Sequence, residues 1–185
     1  MYAEAENEIN GGPSADAYNA INMVRRRGFG QSINTPNVTV DIPSGLNSDD
    51  FFKAIMKERS LEFGGEGLRK YDLIRWNKLA AKLDEAKATL NTLGDRTGIF
   101  ATVPSSMYAI IGAKGDDYTI WTNSYYAKQP SAQPANTLKI SWAGTGVKGI
   151  ALNLAKGFKT GKSELLPISQ SIRDVNPNLT QNPGY

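Results

Sequence analysis

Glu58-Arg59-Ser60-Leu61-Glu62-Phe63-Gly64-Gly65-Glu66-Gly67-Leu68-Arg69-Lys70-Tyr71-Asp72-Leu73-Ile74-Arg75-Trp76 is the most densely charged stretch of this 185-residue chain. Its acids and arginines recur at spacings of three and four, which brings Arg59, Glu62, Glu66 and Arg69 near one another on helical turns. Gly64-Gly65 interrupts the helical pattern between them. Upstream, Ser48 reads as the N-cap of a helix with Asp49 and Asp50 in its first turn. Phe52, Ile55, Met56 and Phe63 are its expected core face. Downstream, the apolar positions Tyr71, Leu73, Trp76, Leu79, Leu83 and Leu90 predict one helix from Leu68 to Leu93, stopped by Gly94.

Toward the N-terminus, Tyr2, Ala5 and Ile9 recur at helical spacing until Asn10-Gly11-Gly12-Pro13 breaks the pattern. Ser14 then caps a second helix with the stripe Ala17, Ile21 and Val24 beside Ala20. Arg25, Arg26 and Arg27 close it, where cations complement the helix dipole, and Gly28 stops it. Residues 1–27 are thus a tetratricopeptide-like helical hairpin. One such hairpin cannot bury its own face, so further helical repeats are expected before Met1. Gly28 to Gly45 is a polar connection with a short strand expected at Val38–Ile42.

After the signature helices of 48–94, helical periodicity stops. Residues 95–157 form a loop-rich insertion with short strands expected at Met107–Ile111, Tyr118–Thr122 and Thr137–Trp142. Residues 158–185 form an extended C-terminal tail, since Pro177, Pro183 and Gly184 oppose regular structure at its end. The fold class is therefore mainly α: a tetratricopeptide-like hairpin plus helices, with an irregular loop-rich subdomain carrying short strands.

Composition removes several chemistries. The chain has no cysteine and no histidine, so disulfides, thiolate sites and the usual general base are absent. No metal site is assigned, and no cofactor. Cations are spread along the chain apart from Arg25–Arg27, which is not a nucleic-acid footprint. No stretch approaches the ~20 apolar residues of a membrane span. Met1 to Asn10 is acidic and lacks the flank of a signal peptide.

Five local patterns each admit a plain structural role. The acids of the charged stretch could serve a glycosidase, but each has an arginine close in sequence, which favours a structural ion network of Arg59, Glu62, Glu66, Arg69, Asp72 and Arg75. Gly144-Thr145-Gly146-Val147-Lys148-Gly149 matches a dinucleotide fingerprint, yet no strand-helix-strand series surrounds it, and a Gly-rich loop is expected. Asp116-Asp117 is expected in a solvated turn, and Asn37-Val38-Thr39 and Asn178-Leu179-Thr180 fit a frequent sequon. Tyr108, Tyr118, Trp121, Tyr125, Tyr126 and Trp142 are aromatics in a polar region. Trp121, Tyr125, Tyr126 and Trp142 are candidates to receive sugar faces, although core is the favoured reading for most of the set.

The opening stretch closely resembles the signature E-R-x-x-E-F-x-x-E-G-x-R-x-x-D-L-x-R-W of the SusD/RagB family. Ala17 to Arg27 resembles the family hairpin ending in V-R-x-R, as Tyr2 to Ala5 resembles its start. Leu165-Leu166-Pro167-Ile168 and Asn176 to Tyr185 resemble its C-terminal elements. Ser169 replaces a frequent second proline, and Gly64-Gly65 replaces bulkier helix formers. The resemblance implies a surface-exposed outer-membrane lipoprotein, not an enzyme. It would bind nutrient, above all oligosaccharide, as a lid on a SusC-like TonB-dependent transporter. The lipid anchor and upstream helices are not in this sequence, so the chain is expected to be the C-terminal part of such a protein. Rival readings are a tetratricopeptide-like protein-interaction scaffold and a carboxylate glycosidase.

Overall fold

Ser14 and Asn47 start two long helices by the same device. In the computed structural model, which describes residues 1–112 and 119–185, Ser14 Oγ accepts the Ala17 N–H at 3.1 Å and so starts α2, Ala15–Gly28. Asn47 Oδ1 accepts the Asp50 N–H at 2.8 Å and starts α3, Ser48–Glu62. The cap is therefore Asn47, not Ser48: its amide also donates to the Asp50 carboxylate at 3.0 Å, a reciprocal contact a serine hydroxyl one residue later could not make.

Two compact units divide the chain, Met1–Leu73 and Ile74–Tyr185. In the first, α1, Tyr2–Ile9, pairs with α2, and both meet α3. The core is Ala3, Ala17, Ile21, Ile42, Phe51 and Ile55, ringed by Tyr18, Ala20, Leu46 and Ala54. Phe51 is wholly buried, with Tyr18 edge-on at 4.8 Å between ring centroids. The buried face of α3 is Phe51, Ile55, Met56 and Glu58, one residue rotated from the Phe52-based stripe; Phe52 and Phe63 are half-buried.

On α1 the expected face is reversed. Tyr2 and Ile9 are exposed, and Ala3, Glu4 and Asn7 are buried. Small Ala3 allows close approach, and the Asn7 amide donates to Ser48 O at 3.1 Å and Ser48 Oγ at 3.0 Å, tying α1 to the start of α3. Val38–Ile42 is not a strand. Asn37 O accepts the N–H groups of Val40 at 3.0 Å and Asp41 at 2.8 Å, a turn that leaves Val38 exposed. The segment's other groups go to side chains: Val40 O accepts from Arg25 Nε and the Ile42 N–H donates to Asn22 Oδ1.

After Gly65 and Gly67, both at positive φ, comes α4, Arg69–Arg75. The single helix expected over Leu68–Leu93 is two, because Asn77 takes the left-handed conformation at φ 52° and breaks the ladder before α5, Leu79–Asp95.

In the second unit α5 packs against α6, Thr145–Asn153, through Gly94. A Cβ there would lie 3.0 Å from Lys148 Cγ and 3.4 Å from Gly144 O, and Gly94 O accepts the Gly144 N–H at 2.9 Å. Asp95 and Lys148 form an ion pair across the same contact. The glycine-rich run expected as a loop is thus mostly helix. Gly94→Val should cost about 1–3 kcal/mol by overpacking. Urea unfolding followed by tryptophan fluorescence reads this, since Trp76, Trp121 and Trp142 all lie in this unit. A change below ~0.5 kcal/mol would refute the close-packing account.

β1, Ser106–Ile111, is the centre of a three-stranded sheet in the order β2-β1-β3. β2, Thr119–Trp121, and β3, Leu138–Ser141, both pair antiparallel with it, Ala109 facing Trp121 on one side and Leu138 on the other. No parallel pair exists among the described residues, so the dinucleotide pattern has no sheet to serve. Tyr118 and the Asp116-Asp117 turn lie outside the described residues.

Within residues 158–185 a short helix, α7, Gln170–Val175, precedes an irregular end. Gln181 brackets Ile168, accepting its N–H at 2.7 Å and donating to its carbonyl at 3.0 Å. Asn182 donates to Leu166 O at 2.6 Å and the Tyr185 hydroxyl to Leu165 O at 3.0 Å. Side chains here replace a strand partner. No helix among the described residues is long and apolar enough to cross a membrane.

Candidate functional site

The last turn of α2 carries three consecutive arginines, and a 100° rotation per residue sends each to a different partner. Arg25 Nη1 donates to Glu58 Oε2 at 2.6 Å, and Arg27 pairs with Glu62. Arg26, 4% exposed, grips Asp41 with Nε at 2.7 Å and Nη2 at 2.5 Å and gives Nη1 to Ile33 O at 2.9 Å. The Arg26 hydrogen bonds hold the Asp41 carboxyl below its ordinary value of 3.8, against the opposing effect of burial, with help from the Asn37 N–H. These arginines do more than complement the helix dipole: they tie the 30–42 connection and α3 to α2.

The charged signature is distributed in the same way. Arg59 forms a two-point bond with Asp72, Nε to Oδ2 at 2.8 Å and Nη2 to Oδ1 at 2.9 Å, while its guanidinium lies 4.7 Å from the Phe63 ring centroid. Arg69 donates to Met56 O at 3.0 Å, and Arg75 lies over Trp76 at 5.0 Å. Glu62 turns to Arg27 across the interhelical space, and Glu66 is exposed after α3. Arg59, Glu62, Glu66 and Arg69 are therefore not one cluster. Glu58, Glu62 and Asp72 each face an arginine, unlike the two carboxylates flanking a scissile bond in a glycosidase. The pairs Arg25–Glu58 and Arg27–Glu62 escaped sequence reading, because their members are 33 and 35 residues apart. The only hint was spacing: arginines at i and i+2, acids at i and i+4.

Beside these pairs is a groove of about 380 Å³, floored by Ala20, Ile21, Val24 and Ile55 and rimmed by Tyr2 and Phe63.

In the second unit three of the candidate aromatics meet. Tyr125 lies 5.3 Å from Trp142 at 44° and 5.4 Å from Tyr126 at 87°, ring centroid to ring centroid. Tyr126 is 95% exposed, and Tyr125 and Trp142 are half-buried. The local fold explains this. Asn123 is anchored to β1, accepting the Tyr108 N–H at 2.7 Å and donating to Ser106 O at 3.3 Å. Ser124 then turns the chain, its Oγ accepting the Tyr126 N–H at 3.1 Å. Trp142 follows β3 directly, and its buried indole N–H has no hydrogen-bond partner among the described residues. Trp121, 51% exposed at the end of β2, makes no ring contact with these three among the described residues. Tyr108 is core, with its hydroxyl accepting from Gln129 at 3.2 Å. Such rings offer flat apolar faces with polar edges, the surfaces a sugar ring can cover.

SusD-like protein P25 of Formosa agariphila is 44% identical over 79 residues, which are 43% of this chain and 14% of that relative. A crystal structure of a SusD homolog from Bacteroides thetaiotaomicron matches with TM-score 0.54 and 32% identity, covering 100% of this chain and 25% of the solved one. The chain thus spans a minor part of the length of both. The model of the SusD family matches residues 1–185, signature stretch, hairpin and tail included, and the chain belongs to that family.

Proposed function

We propose that this chain is part of a nutrient-binding protein of the outer-membrane surface that captures an oligosaccharide without cleaving it and passes it to a SusC-like TonB-dependent transporter. The observation that carries this reading is the ring cluster of Tyr125, Tyr126 and Trp142, with Tyr126 open to solvent. Trp121 is a further exposed aromatic of the same unit. Membership of the SusD family supports the glycan and the transporter as partners. The arginine-paired acids support binding over hydrolysis, with Arg59, Glu62, Asp72 and their neighbours holding the scaffold.

A glycan panel titrated against the chain, with tryptophan fluorescence as the readout, tests the reading. Tyr126→Ala should weaken binding about 5–10-fold, the worth of one aromatic contact, with no change in melting temperature. Binding that ignores Tyr126→Ala and Trp142→Ala would sink the aromatic site. Copurification of the parent protein with a TonB-dependent transporter from solubilised membranes tests the delivery step.

One observation favours the second reading, a protein-interaction scaffold: the open groove beside α1, α2 and α3. Pull-downs that return a partner other than a transporter, lost in Val24→Glu, would support it.

A further inference from the structure

From Thr119 to Ser163 the chain contains no aspartate or glutamate, yet it carries six lysines: Lys128, Lys139, Lys148, Lys156, Lys159 and Lys162. The two units differ in sign. Ile74–Tyr185 holds thirteen Lys and Arg against seven Asp and Glu, whereas Met1–Leu73 holds eight against eleven. Solubility alone is served by interspersed charge of both signs, so this segregation needs another reason.

Two of the six lysines are occupied. Lys148 pairs with Asp95, and Lys162 Nζ sits 4.4 Å from the centroid of the Tyr185 ring. Lys128, Lys139, Lys156 and Lys159 are exposed, and their ammonium groups have no partner among the described residues. Two of them flank the aromatic cluster in sequence. Lys128 is two residues beyond Tyr126, and Lys139, on β3, is three residues before Trp142. Within this stretch of sequence no carboxylate balances their charge. A neutral sugar gains nothing from that charge, while an acidic one gains attraction and faster encounter.

We infer that the ligand is an acidic oligosaccharide, bearing carboxylates or sulfates, whose rings cover Tyr125, Tyr126 and Trp142 while Lys128 and Lys139 pair with its anionic groups. Lys156 and Lys159 add to the positive field of the unit. The inference rests on the aromatic cluster being the glycan face proposed above, and it adds the charge class of the glycan.

The test is calorimetric titration of the full chain with matched probes: an oligogalacturonate and its methyl ester, and a sulfated carrageenan oligosaccharide and its desulfated form. An acidic member of either pair should bind at least about tenfold tighter than its neutral partner at low salt, and the advantage should shrink steeply by ~0.5 M salt. Lys128→Gln combined with Lys139→Gln should remove most of that advantage, with far-UV circular dichroism unchanged. If acidic and neutral members bind alike and Tyr126→Ala weakens both, the charge inference falls and the glycan site stands. If none of the four binds while a neutral member of the glycan panel does, the charge inference falls and the glycan site stands; if no glycan of either set binds, both fall. Binding to phosphatidylglycerol vesicles that depends on these lysines, with no preference for acidic sugars, would assign the charge to a membrane and also overturn the inference.

Discussion

Phe51→Ala should remove about 3–5 kcal/mol of stability from Met1–Leu73, the largest loss expected from any single truncation in the chain. Phe51 is wholly buried, and its ring fills the space between Tyr18, Ile21 and Ile55 in the small core of three helices. Removing it takes away the transfer energy of the ring and leaves a cavity that helices held by Asn7–Ser48 and Arg25–Glu58 cannot close. Tyr18 would also lose the edge-on partner that orients its hydroxyl toward the Leu46 N–H at 2.9 Å. Far-UV circular dichroism in urea reads the effect, and Phe51→Leu should retain well over half of the lost stability. Phe52→Ala, at a half-buried position, should cost distinctly less. Equal costs at the two positions would contradict the observed rotation of α3.

The second large effect concerns Asp41. Asp41→Asn leaves the shape but strands the nearly buried Arg26 guanidinium without its counter-charge, and breaking such a pair is far costlier than never having it. A fall in melting temperature of roughly 5–15 °C is expected. Arg26→Met with Asp41→Leu, which removes both charges, should recover much of that loss. The pair also sets a pH dependence. Hydrogen bonds from Arg26 lower the Asp41 pKa below its ordinary 3.8 in the folded state. Its contribution is therefore complete above about 3.8 and disappears as the pH falls through the lower folded value. Asp41→Asn should flatten that part of the acid limb of the stability curve. An acid limb identical to that of the parent chain would show that the pair does not carry this dependence.

Much of this architecture is legible in the sequence for local reasons. Gly11-Gly12-Pro13 can only be a turn, Ser14 can only help a helix by starting it, and the Ala17–Ile21–Val24 stripe has one period. The three strands emerged from β-branched and aromatic runs between turn residues, with β1 and β3 within a residue or so of their expected bounds. The aromatic candidates were legible as a list of residue types. Their assembly was not, since Tyr125 and Trp142 meet only because β3 returns the chain beside the Asn123–Ser124 turn.

By itself the sequence determined the family, the helical hairpin, the charged signature and the absence of histidine and cysteine chemistry. These depend on residue identity and on spacings within one or two turns, which the chain carries wherever it folds. Only the tertiary structure decided which face of α1 is buried, that Val38–Ile42 turns instead of pairing, that Asn77 splits the long helix, and that Glu62 answers Arg27 rather than Arg69. Each of these is a choice between alternatives of nearly equal local energy. An eight-residue helix has more than one usable stripe, and an ion pair has several partners at helical spacing. The tie is broken by groups far away in sequence, such as Ser48 for Asn7 and Asn22 for Ile42, whose hydrogen bonds exist only once the chain has folded.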